Sequence, residues 1–215
     1  MANLAPGPEE VETLFTDAEG AFRFARWSRP IVPVIFGATD DSLPPLKGAM
    51  EAVVLASGHK MAENDPELGA NLMVFFMQDW QELAEVKDMD QLVPGLDSLL
   101  PRLEAEGADQ YRFFRFAEDN AIKAGFVFLR MKGAIARMPA AELGMEQMLK
   151  SMLLWGPSAF AGRSALARAE GQGPAVLRPD LASVLRAAYD PVLPPYSEDA
   201  TLALRLSARA GQLFN

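Results

Sequence analysis

Apolar residues come in short runs along the chain, set apart by proline, glycine and acidic residues. The most ordered pattern lies at 110–155. QYRFFRF (Gln110–Phe116) and AIKAGFVFLRMK (Ala121–Lys132) read as two strands of a β-hairpin joined by a turn at Glu118–Asn120. In the second strand Ile122, Ala124, Phe126, Phe128 and Arg130 point one way, and Lys123, Gly125, Val127, Leu129 and Met131 the other. Both sets are apolar over Phe126–Leu129, as in a sheet covered on both sides in its middle. From Pro139 to Trp155 the period becomes helical, and Leu143, Met145, Met148, Leu149, Met152 and Leu153 make a broad apolar stripe.

Upstream, residues 1–8 read as a loose N-terminus. Glu9–Phe15 predicts a short helix with acids in its first turn, and Asp17–Trp27 continues it to the stop at Arg29-Pro30. Ile31–Gly37 predicts a strand at or near a sheet edge, because Pro33 has no N–H for a ladder. Asp40–Ser42 caps a helix from Leu43 to Ser57, with Gly58 at its end. His59–Gly69 is a polar loop. Leu72–Met77 is a buried strand, and Asp79–Val86 and Ser98–Ala105 are short helices. Downstream, Ser158–Ala169 reads as partly helical and Glu170–Pro174 as a glycine-rich loop. Arg178-Pro179-Asp180 opens a helix to Tyr189, Val192–Tyr196 is extended, and a last helix runs from Ser197 to about Ala210. This order predicts an α+β fold: a small mixed sheet with a β-hairpin, a helix layer on one face and a C-terminal helical segment. With no repeat and no linker, 9–215 reads as a single domain.

Composition narrows the function classes. The chain has 215 residues, enough for a core without staples, and a formal net charge of −9. That charge disfavours nucleic acid and anionic membrane surfaces as partners. Cysteine is absent, which removes disulfides, thiol nucleophiles and thiolate metal sites. No run approaches the ~18 apolar residues of a membrane span. MANLAPGPEE has no basic segment followed by an apolar one, so the expected compartment is the cytoplasm as written, or the periplasm had a signal peptide been removed.

The candidate chemistry is thin. His59 is the only histidine; a zinc site needs about three protein ligands, so it is expected as a solvated loop residue or one completing a helix end. Glu63, Asn64, Asp65 and Glu67 could offer oxygens to calcium or magnesium, but match no loop code and read as a solvated acidic loop. Gly156-Pro157-Ser158 is no nucleophile elbow, Lys150-Ser151 are adjacent on a helix and do not face each other, and Gly162, Gly171 and Gly173 lack the context of a phosphate loop. The remaining catalytic candidates are Glu142 and Glu146, four residues apart on one helix face. Lining a cleft they would form an acid/base pair; otherwise they lie on the solvated side of the stripe. No cofactor and no metal is expected.

Several motifs occur in a familiar order: the aromatic hairpin YRFFRF and FVFLRMK, the helix piece MEQMLKSMLL with Glu146-Gln147, Ser158-Ala159-Phe160, LRAAYDPVL (Leu185–Leu193), and upstream Asn71-Leu72-Met73-Val74. In this the chain resembles an uncharacterised proteobacterial domain family of zincin-like architecture, usually exported and often as lipoproteins. The resemblance implies a zincin-like fold. The helix carries no H-E-x-x-H, and Leu149, Lys150 and Leu153, set against its His, Glu and His, can neither bind zinc nor act as base. The implied member is degenerate and non-catalytic, a soluble pseudoenzyme.

Three functions follow. The first is a non-catalytic domain binding a protein or a small ligand. The second is a divergent hydrolase with a carboxylate-based or metal-assisted site at Glu142 and Glu146. The third is an assembly subunit joined through a Met-rich interface with Trp27, Trp80, Trp155 and Phe160.

Overall fold

The computed structural model describes residues 5–168 and 173–213. In chain order the elements are α1 (Pro8–Leu14), β1 (Phe24–Ala25), β2 (Pro33–Phe36), α2 (Leu43–Ser57), β3 (Leu72–Met77), α3 (Glu82–Glu85), α4 (Met89–Leu92), α5 (Leu96–Ala105), β4 (Gln110–Phe116) and β5 (Ile122–Arg130). Then come α6 (Ala140–Met152), β6 (Leu166–Arg168), β7 (Ala175–Leu177), α7 (Pro179–Ala188), β8 (Tyr196–Ser197) and α8 (Leu202–Gln212), with 3-10 turns at Ile135–Arg137 and Pro157–Phe160. The fold is α+β. Its main sheet has the order β2-β3-β5-β4; β2, β3 and β5 are parallel and β4 returns antiparallel to β5. The hairpin is therefore the far half of this sheet, and Pro33 sits on the opposite edge strand, as a residue without a ladder donor must.

Alternation along β3 and β5 feeds two cores. Leu72, Val74, Val127 and Leu129 face a core shared with α1, α2, α6, α7 and α8. Phe126 and Phe128 face a second core with Trp80, Leu83, Met89, Leu96, Leu99, Leu100 and Leu103 from the α3–α5 segment. Helices thus cover both faces, where a single layer was expected. Phe75 stacks on Phe128 at 4.9 Å, and Phe113 on Phe126 at 4.6 Å. Ile122 does not share the face of Ala124. A bulge pairs Arg115 with Ala124 and Phe116 with Ile122, leaving Lys123 as the extra residue, and Ile122 joins the first core.

Several expectations fail for local reasons. Asp17–Trp27 is not helical. Asp17 Oδ1 accepts the N–H groups of Glu19 and Ala21, which fixes a turn and competes with a helix. The chain after it is extended, with Phe22, Phe24 and Trp27 buried. Of the N-terminus expected to be loose at 1–8, residues 1–4 lie outside the described residues, and 5–8 are held in place: Ala5 is buried, Pro6 O accepts the Ser207 hydroxyl, and Pro8 opens α1. α6 ends at Met152, and Leu153 pairs as an isolated bridge with Arg26. Of the segment expected to be partly helical at Ser158–Ala169, the described part to Arg168 holds the end of one 3-10 turn and then β6, antiparallel to β7. Most of the loop expected at Glu170–Pro174 lies outside the described residues. The last helix starts at Leu202, five residues late, because Ser197 and Asp199 bond the backbone locally.

Candidate functional site

The carboxyl ends of β2, β3 and β5 open into a cleft of about 570 Å3. Gly37 and Ala38 follow β2, Met77 and Gln78 close β3, and Met131 follows β5. Two helices begin at its walls. Thr39, Ser42 and Leu46 belong to the start of α2, and Met138, Ala140 and Leu143 to the start of α6. In sheets with parallel strands this is where ligands commonly sit. Leu46, Phe76, Met77, Met131, Met138 and Leu143 supply the apolar part of the lining, and Thr39, Ser42, Gln78 and Glu82 a polar part of similar weight.

The two helix starts differ in what they offer. The Thr39 and Ser42 hydroxyls are 2.8 Å apart. Leu43 N–H and Leu46 N–H already bond Thr39 O and Ser42 O, and Pro44 and Pro45 have no N–H, so α2 presents a dipole without spare donors. α6 starts after Pro139, whose side chain cannot cap, and the first-turn N–H groups of a helix have no intrahelical partner. Glu82 on the far wall is engaged, accepting the N–H groups of Gln78 and Asp79 at 2.8 Å.

What brings the two helices together is a glycine. Gly144 packs on the backbone of α2, and a β-carbon there would stand 2.5 Å from Leu46 O. Only a residue without a side chain allows that approach.

Glu142 and Glu146 lie beyond this cleft and apart in partnership. Each is partly buried, with side chains 18% and 13% exposed, so the solvated position expected for them is incorrect. Glu142 accepts both its bonds from Arg168 of β6, at 2.6 and 2.7 Å. Glu146 is ion-paired with Lys150 one turn on. Lys150 also donates to Gln110 Oε1 at 3.1 Å, and Arg112 donates to Gln147 Oε1 at 2.5 Å. Burial pulls Arg112 down to about 10, opposed by the charge of Glu146. Burial likewise lowers Lys150, again opposed by Glu146. The cluster ties β4 to α6 with each carboxylate locked to its own cation. They do not form an acid/base pair.

His59 completes the end of α2, its N–H bonding Val54 O at 3.1 Å. It is half-buried rather than solvated: Nε2 lies 2.9 Å from Arg29 O, and the ring is 4.7 Å from that of Tyr189. In the acidic loop Glu63, Asn64 and Glu67 are exposed as expected, and Asp65 is the exception. Asp65 is buried and accepts the N–H groups of Glu67 and Leu68, both at 2.9 Å, and Asn71 Nδ2 at 3.0 Å. Burial alone would raise its pKa, but these bonds and Arg29 hold it below the usual carboxylate value. Asn71, which the sequence marked only as the start of a strand, also bonds Val32 N–H at 2.7 Å and Pro30 O at 2.9 Å. Among the described residues no three His, Cys, Asp or Glu side chains come together as a metal site, and no helix is long and apolar enough to cross a membrane. Trp27, Trp80, Met50, Met77, Met89, Met148 and Met152 are buried core residues, which removes them from the expected Met-rich interface.

The cleft was missed in the sequence because its walls come from five separate segments. The available signals were the two helix starts at Ser42 and Pro139 and the Gly37 and Met131 strand ends. No family model matches the chain, and neither a curated protein nor a solved structure matches it.

Proposed function

We propose that this protein is a non-catalytic binding domain whose cleft takes a small amphipathic molecule. The ligand has an apolar body and an anionic head of the carboxylate type. The cleft itself supports this reading most: an open, Met- and Leu-walled space of about 570 Å3 at the strand ends, where two helices begin. The body would lie on Met131, Met138, Leu143, Leu46 and Phe76. The head would face the uncapped start of α6, where free N–H groups and the helix dipole favour negative charge. The locking of Glu142 to Arg168 and Glu146 to Lys150 supports binding over hydrolysis, since a general base must be free to take a proton.

Calorimetric titration with decanoate tests the proposal, with decanol as the uncharged control and Ala136→Trp as a plug. Ala136 is exposed on the cleft wall, so a tryptophan there fills the space without entering a core. Saturable one-to-one binding of decanoate, weaker for decanol and lost in the variant, is expected. Heat that is absent, or identical in wild type and plug, overturns it.

A further inference from the structure

A second cavity lies at the other end of β5. α1 ends at Leu14, and the segment after α6 docks on that end: Gly156 N–H bonds Leu14 O at 2.7 Å and the Ser158 hydroxyl bonds Thr13 O at 2.7 Å. A β-carbon on Gly156 would stand 2.2 Å from Thr16 O, so this docking requires glycine. The approach brings Trp155 onto Phe15, stacked at 5.3 Å. The hairpin tip adds Phe116, and β8 adds Tyr196. Together they line a cavity of about 390 Å3.

The charges around it are mostly acidic. Asp17, Glu19 and Arg23 line the cavity. Arg23 is occupied, its Nε 3.1 Å from Asp17 Oδ2. Glu198 holds the Tyr196 hydroxyl at 2.5 Å. Glu19 is exposed and has no ion-pair partner among the described residues, and Glu118 and Asp119 follow Phe116 in the hairpin turn. Three rings that are not fully buried, Phe116, Trp155 and Tyr196, line the cavity, with Phe15 packed behind Trp155, and Glu19 supplies a carboxylate left over once Asp17 and Arg23 neutralise each other.

We propose that this aromatic cavity is a binding site for a small organic cation, an alkylated or quaternary ammonium about the size of choline. A ring-lined cavity attracts such a cation through the ring quadrupoles, and desolvation on entry strengthens the attraction. The acidic groups around this cavity draw cations to it locally. The site is separate from the strand-end cleft and asks for the opposite charge.

Trp155 provides the readout, because Trp27 and Trp80 are fully buried while Trp155 is partly exposed. Choline chloride is titrated into the full chain and tryptophan emission followed, beside sodium chloride at equal ionic strength. A third titration uses 3,3-dimethyl-1-butanol, the neutral isostere of choline. Choline should shift the emission saturably and bind at least about fivefold tighter than the isostere. Glu19→Gln and Phe116→Ala, both at exposed positions, should each weaken choline about threefold or more. Equal affinity for choline and the isostere would show a merely apolar cavity and overturn the proposal. So would emission that follows ionic strength alone, or variants that bind choline as well as wild type.

Discussion

Gly144 of α6 stands against the carbonyl of Leu46 on α2 so closely that a β-carbon would come within 2.5 Å of the oxygen. In an isolated helix Gly144→Ala would be favourable by up to about 1 kcal/mol. Here the backbone it meets cannot step aside, and overpacking costs about 1–3 kcal/mol. The variant should be less stable by about 1–2 kcal/mol in urea unfolding, with the cleft widened as the helix starts separate. A gain in stability would show that the helices do not meet this way.

Glu146 is expected to matter for stability, not for turnover. Glu146→Gln leaves the buried Lys150 without its carboxylate and removes the negative charge that offsets the burial of Arg112. Removing one member of such a buried pair costs about 3–5 kcal/mol, while replacing both with apolar residues is often close to neutral. The double variant Glu146→Leu, Lys150→Met should therefore recover much of the loss in denaturant unfolding. Equal or greater loss in the double variant would contradict a purely local pairing.

Asn71 organises the amino-terminal ends of β2 and β3 through three bonds, one of them to the buried Asp65. Asn71→Ala strands Val32 N–H, Pro30 O and part of that carboxylate. The expected loss is on the order of 2–4 kcal/mol. Asn64→Ala, in the same loop, should change stability little. Unfolding midpoints of the two variants compare them directly.

His59 gives the pH dependence. Burial lowers its pKa below the ordinary 6.5, with the Arg29 carbonyl opposing. The folded state therefore holds the neutral ring where the unfolded state is already protonated. Stability is full above about 6.5 and falls as the pH drops below it toward the folded value. As the sole histidine, it is the group to follow: its imidazole resonances should titrate below 6.5, and His59→Gln should flatten stability between pH 7 and 5. A midpoint above 6.5 would reverse the sign.

The architecture was largely legible because its signals are local. Leu43–Ser57, Leu72–Met77 and the two hairpin strands carry period and punctuation within themselves. Asp17–Trp27 misled because Phe22 and Ala25 fit a helical spacing. The competing period of two, with Phe22 and Phe24 inward and Arg23 outward, became decisive only once the Asp17 turn and the docking of 153–156 were in place. The surroundings of Glu142 and Glu146 were hidden for a different reason. Arg168 lies twenty-six residues from Glu142, so nothing short-range reveals it; Lys150 is a legible i,i+4 partner of Glu146, but its tie to Gln110, forty residues away, and the burial of the pair are not. The cleft was illegible for the same reason, as a meeting of strand ends rather than a motif.

The most direct test of the central claim is a methyl spectrum of the protein labelled at methionine, recorded as decanoate is added. Met77, Met131 and Met138 line the cleft, while Met50, Met148 and Met152 lie in the core behind it. If the cleft is the binding site, the first three resonances move together along one saturable curve and the second three stay. Shifts spread evenly over all six, or no shift in the lining residues, would contradict it.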